Sequence, residues 1–144
     1  MYVVLFSILP LNSCKGIVSS QMQESKTTME IENILNENYS GFEQEKYRLI
    51  RNEEDLHSFY GVINRTRKPG ITPPKIDFKK HMILIWCGDK NASNFAELEI
   101  MENKENIIVR KLNNTQGIEQ NRSVVNPFSV YKLPLRSKSL RIQR

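Results

Sequence analysis

Six consecutive apolar residues, Met82-Ile-Leu-Ile-Trp-Cys87, constrain this 144-residue chain more than any other stretch. No polar residue interrupts the run, so a strand built from it has no solvent face and is buried on both sides. The flanks agree. Arg65-Thr-Arg-Lys-Pro-Gly-Ile-Thr-Pro-Pro74 upstream holds three prolines and a glycine, which continue neither a helix nor a central strand. Gly88-Asp-Lys-Asn-Ala-Ser-Asn94 downstream reads as a second loop.

A helix is expected from Asn52 to Thr66. Asn52 suits the N-cap, and Glu53, Glu54 and Asp55 suit the positive end of the helix dipole. Leu56, Phe59, Tyr60 and Ile63 follow at i, i+3, i+4 and i+7, a single apolar stripe. Beyond the central run, Ala96, Leu98 and Ile100 alternate with Glu97 and Glu99 as a half-buried strand. Asn103-Lys-Glu-Asn106 turns it into a second strand over Ile107–Leu112. Asn113–Asn126 reads as a long polar loop, and Phe128–Leu133 and Leu140–Gln143 as closing strands. With a short strand at Tyr47–Ile50, the order is β, α, then five strands. One domain suits this length. The expected fold is α+β, with one N-terminal helix packed on a small, mainly antiparallel sheet. The helix stripe is expected to face Ile83, Ile85, Leu98 and Ile100.

The N-terminus sets the expected compartment. An apolar run from Val3 to Leu11 ends in Leu11-Asn-Ser-Cys14, which resembles a bacterial lipobox. The run is too short to cross a bilayer, which takes about 20 apolar residues, and suits a signal peptide. No Lys or Arg precedes Lys15. The alternative is a buried N-terminal strand, against which Pro10 and the following Asn-Ser argue. On the lipobox reading, residues 1–13 are a signal peptide and Cys14 carries lipid. Residues 14–45 are then a polar tether, with Ile31, Ile34 and Leu35 hinting at one or two helical turns in Met29–Asn38, and residues 46–144 are the folded domain. The protein is expected in the cell envelope, lipid-anchored on the periplasmic or outer surface of a bacterial membrane. Cys87 is then the remaining cysteine, and a lone cysteine inside such a run acts as a small buried hydrophobe.

Charge is uneven. Lys15–Lys46 holds three bases and six glutamates, whereas Tyr47–Arg144 holds eighteen bases and ten acids. From Arg122 onward come Arg122, Lys132, Arg136, Lys138, Arg141 and Arg144 with no acid. Such a tail suits an anionic surface or acidic partner, or a solvated strand face. An extracytoplasmic domain is not expected to meet nucleic acid. His57 and His81 lack partners at metal-ligand spacing, and no phosphate loop or nucleophile elbow occurs. No catalytic residue, metal or cofactor is expected.

From Tyr47 onward, roughly two-thirds of the chain, short motifs run in a familiar order. They are Tyr47-Arg-Leu-Ile-Arg51 with the Asn52–Phe59 helix start, Ile76-Asp-Phe-Lys-Lys-His-Met-Ile-Leu-Ile85, Phe95-Ala-Glu-Leu-Glu-Ile100, Val125-Asn-Pro-Phe128 and Lys132-Leu-Pro134. This pattern resembles the C-terminal domain family of PrcB, the lipoprotein subunit of a secreted subtilisin-like protease complex. One loop departs from the family. Asn91-Ala-Ser-Asn-Phe95 stands where a Pro-Thr/Ser-Gly-Gly-Tyr sequence is usual, with Phe95 in the tyrosine position and Asn94 able to take a left-handed backbone. The resemblance implies a non-enzymatic binding module that stabilises or modulates an envelope protease. An exposed sheet edge and its loops supply a physical route. The loops expected to make contact are Arg67–Pro74, Asp89–Phe95 and Asn121–Phe128. Asp89, Asn91, Ser93, Asn94, Phe95, Pro127 and Phe128 are the expected partner-binding residues. The alternative function is a small-ligand receptor or hydrolase with a non-local site.

Overall fold

Residues 82–87 alternate between two hydrophobic layers, and the rest of the fold is arranged around them. The computed structural model describes residues 25–112 and 126–143. Strand β4, His81–Cys87, directs Met82, Leu84 and Trp86 into one apolar cluster and Ile83, Ile85 and Cys87 into another. All six are at most 2% exposed.

The elements before β4 are β1 (Thr27–Thr28), β2 (Glu32–Glu37), β3 (Lys46–Ile50) and α1 (Glu53–Ile63). A single 3-10 turn, Asn64–Thr66, extends the helix. After β4 come β5 (Glu97–Glu102), β6 (Asn106–Leu112), β7 (Phe128–Pro134) and β8 (Ser139–Gln143). The strands form two four-stranded sheets, ordered β2-β7-β4-β3 and β1-β5-β6-β8. Every pairing is antiparallel except β6 with β8. The fold is α+β, mostly strand, with one short helix.

Helix α1 forms where its cap and stripe predict. The Asn52 side-chain oxygen accepts from the Asp55 backbone N–H at 2.7 Å, while the Asn52 amide donates back to the Asp55 carboxylate at 2.7 Å. Leu56, Phe59, Tyr60 and Ile63 are all buried. At the far end Asn64 holds Ile71, donating to its carbonyl at 2.9 Å and accepting from its N–H at 2.7 Å. This clamp draws the Pro-Gly loop back onto the helix end.

Three expectations need correction. The helix is not N-terminal: three strands precede it. There are two sheets, and Leu98 and Ile100 belong to the second. They pack with Met82, Leu84 and Trp86, while the helix stripe meets Ile83, Ile85, Phe128 and Val130. One helix covers one face of β4, so the other face needs a second layer. The β5–β6 hairpin is the centre of that layer. The third correction concerns the segment read as tether and helical turn. Within the described residues, Thr27–Thr28 pairs with β5 and Glu32–Glu37 pairs with β7. The helix-like spacing of Ile31, Ile34 and Leu35 comes from a bulge. Register shifts between Asn33 and Leu35, so Ile34 and Leu35 both pack on the helix side while Ile31 packs between the sheets. The signal segment, Cys14 and residues 113–125 of the polar loop lie outside the described residues.

The chain passes from β7 to β8 by switching sheets through Leu135–Lys138. Arg51 fastens this link, donating to the carbonyls of Arg136 and Lys138. Glu102 on β5 takes the side chains, at 3.1 Å from Arg136 Nε and 2.7 Å from Lys138 Nζ.

Phe59 is 1% exposed and lies edge-on to Phe128 with ring centroids 5.8 Å apart. Phe59→Ala is expected to lower unfolding free energy by about 3–5 kcal/mol, read by denaturant titration. The hydrogen bonds from Lys138 and Arg136 hold the Glu102 carboxyl below its ordinary value of 4.5. A depressed native pKa contributes stability that is present above the unfolded value and lost as pH falls through the native one. Glu102→Gln should therefore cost about 0.5–1 kcal/mol near pH 7, because solvent screens both ion pairs. The gap to the parent should close progressively below pH 4.5. A gap that stays constant down to acid would contradict this role.

Candidate functional site

Three segments meet beyond the C-terminal end of β4: residues 39–43, residues 88–95 and residues 126–127. Gly88 follows the strand directly. A Cβ there would stand 2.7 Å from the Ala92 Cβ, so the loop closes only over glycine. The Gly88 N–H donates to the Pro127 carbonyl at 2.7 Å and the Lys90 N–H to the Glu43 carbonyl at 3.1 Å. The Asp89 carboxylate accepts from the Asn91 N–H at 2.8 Å, and its carbonyl from the Ala92 N–H at 3.1 Å. Asn126, at φ 52°, donates its side-chain amide to the Phe42 carbonyl at 2.6 Å, and its own carbonyl accepts from the Ser40 N–H at 2.7 Å.

The expected contact residues divide between surface and core. Asn91 is exposed, and Asp89, Ser93, Asn94 and Phe95 are half-buried along one loop. Pro127 and Phe128 are buried. Strand parity sends Phe128, like Val130, into the helix layer, so its side chain offers nothing at the surface. The Phe128-Ser-Val130 alternation carries that signal in the sequence. In the Arg67–Pro74 loop, Arg67 is committed to the fold. Its guanidinium pairs with Glu37 at 3.0 Å and donates to the Tyr39 carbonyl. The basic C-terminal stretch is similarly consumed, since Arg136 and Lys138 share Glu102 and Lys132 pairs with Glu32. Arg141 stays exposed.

A concavity lies elsewhere, between β3 and α1. It is a cleft of about 370 Å³. Its apolar lining is Phe42, Phe59, Val62, Ile85 and Cys87, and Lys46 and Arg48 also border it. Strand alternation explains the pairing of charge with apolar floor. Lys46 and Arg48 lie two residues apart on an edge strand, on the face opposite Tyr47 and Leu49. Lys46 Nζ stands 4.3 Å from the Phe42 ring centroid, and the Phe42 ring stacks on Phe59 at 6.3 Å. No single stretch of sequence shows this cleft, because residues 42, 46–48, 59–62 and 85–87 build it. Its one local sign is the charged alternation Lys46-Tyr-Arg48.

Cys87 forms part of the cleft lining. Burial pushes its thiol up to about 12, against the pull of the Lys46 and Arg48 charges. Tyr47 is raised by burial and by the adjacent Glu45 carboxylate. Glu45 also accepts from Trp86 Nε1 at 2.8 Å and pairs with Lys111 Nζ at 3.1 Å, so it ties β3, β4 and β6 together. His57 faces Glu53 at 3.5 Å on the exposed side of α1. Among the described residues, no three His, Cys, Asp or Glu side chains converge as a metal site, and no helix is long and apolar enough to cross a membrane.

At pH 8 the native Cys87 should alkylate with iodoacetamide on the order of a hundredfold more slowly than in the denatured chain. Peptide mapping separates it from Cys14. Comparable rates in the two states would mean that the thiol is open to solvent.

Comparison with known proteins gives no match: no family model, no curated protein and no solved structure matches this chain.

Proposed function

We propose that this chain is a non-enzymatic protein-binding module that receives an extended segment of its partner on the outer edge of β3. The observation that carries this reading is the position of β3. It ends the sheet order β2-β7-β4-β3, so no described strand occupies its outer side. An edge strand presents backbone donors and acceptors at fixed spacing, and an added strand satisfies them while adjacent pockets read alternate side chains. The β3–α1 cleft is such a pocket, next to that edge.

Two sequence features support the rest of the proposal. The Leu11–Cys14 lipobox-like segment supports lipid attachment at Cys14 and a place in the cell envelope. The residues that resemble the PrcB C-terminal domain family fall largely on β3, α1, β4, β5 and β7, and they support an envelope or secreted subtilisin-like protease as partner. Tethering both proteins to one surface raises their effective concentration, so modest affinity suffices for an accessory subunit.

The test uses the full chain as bait on detergent-solubilised envelope, followed by hydrogen exchange on the complex. One protease subunit should be retained in stoichiometric amount, and amides of Lys46–Ile50 should gain protection on binding. Retention of no protein would overturn the proposal. So would turnover of a peptide, ester or glycoside by the purified chain, lost in one point variant of a polar surface residue.

A further inference from the structure

We infer that the β3–α1 cleft selects an acidic-apolar segment, in which an apolar side chain enters the cleft and flanking carboxylates meet Lys46 and Arg48. This inference rests on reading the chain as a protein-binding module.

The charge pattern argues first. Arg67, Arg110, Lys111, Lys132, Arg136 and Lys138 each sit against a glutamate. Lys46 and Arg48 make no ion pair among the described residues, and β4, the strand paired with β3, carries no acid. Lys46 therefore rests on the Phe42 ring and Arg48 beside the apolar floor, neither of them neutralised by a carboxylate. Both act electrostatically on Cys87, so their field reaches into the cleft.

The apolar side argues second. Val62 is 36% exposed, one of four large apolar residues left so open among the described residues. It lines the cleft one helical turn from Phe59, whose ring stacks on that of Phe42. A volume of about 370 Å³ accepts one sizeable side chain with room to spare.

The edge argues third. Lysine and arginine on an edge strand discourage pairing between like copies, because the same charges would meet across the new ladder. A second copy of β3 is therefore a poor occupant. A strand that carries an apolar residue with acids two positions to either side, all three on one face, reverses the penalty, matching cations with carboxylates while filling the cleft.

The probes are a fluorescein-labelled, end-blocked heptapeptide Ser-Asp-Ser-Leu-Ser-Asp-Ser, which places leucine and both aspartates on one strand face, the same peptide with lysine for aspartate, and decanoate. Each is titrated against the full chain. The aspartate peptide should bind and the lysine peptide should bind at least about tenfold more weakly. Lys46→Glu with Arg48→Glu should reverse that order. Val62→Asp, at an exposed position, should weaken the aspartate peptide severalfold with thermal unfolding unchanged. Raising salt from about 0.05 to 0.5 M should weaken it too, as screening shortens. Equal binding of both peptides, or binding unaffected by the double charge reversal, would overturn the inference. Binding of decanoate with neither peptide would assign the cleft to an anionic amphiphile and overturn it as well. If the peptides fail while the envelope partner is still retained, the cleft assignment falls and the binding module stands.

Discussion

The structure depends on burying β4 from both sides. Trp86, Met82 and Leu84 need one cover; Ile83, Ile85 and Cys87 need another. Fully burying such side chains contributes roughly 1.5–3 kcal/mol each, so leaving either face wet would remove much of the stability of a small domain. The helix and the second sheet answer these two demands. The strands at the margins, β1, β2, β3 and β8, then finish the layers. Because β4 and β7 are enclosed, the surfaces left to work with include the sheet edges, the loops and the cleft beside α1.

Charged residues add to this frame mainly by fixing how the layers join. Arg51 grips the carbonyls of the β7–β8 link, and Glu102 collects the two cations that this link carries. Glu45 joins Trp86 to Lys111 across the sheets. A large share of the basic surplus is thereby spent inside the fold. Net charge alone would place the basic surface at the C-terminus; the pairing neutralises Lys132, Arg136 and Lys138 there and leaves Lys46 and Arg48 beside the cleft among the bases without an ion pair. A free cation next to exposed apolar walls has a different meaning from one already neutralised, since only the former gains by meeting a carboxylate.

The local elements were legible because their causes are local. Asn52 and the acids after it cap a helix, and the 3–4 spacing of Leu56, Phe59, Tyr60 and Ile63 marks its buried side. Alternation in Ala96–Ile100 and the Asn103–Asn106 turn marked the hairpin, and the unbroken run to Cys87 marked the doubly buried strand. The β2 strand was not legible, since its bulge places consecutive Ile34 and Leu35 on one side and imitates a helical period. Phe128 was expected to contact a partner at the end of the Asn121–Phe128 loop, yet the parity of β7 draws it inward.

By itself the sequence determined helix α1, the central strand and the β5–β6 hairpin, and which of their apolar residues must leave water, because capping and periodicity act within a few residues. The tertiary structure alone decided that two sheets share the core, which cations are neutralised, and that residues 42, 46–48, 59–62 and 85–87 meet as one cleft. Those outcomes depend on pairings between residues far apart in the chain. A single sequence gives little indication of such pairings, since many registers satisfy the same local pattern and only packing of all layers together selects one.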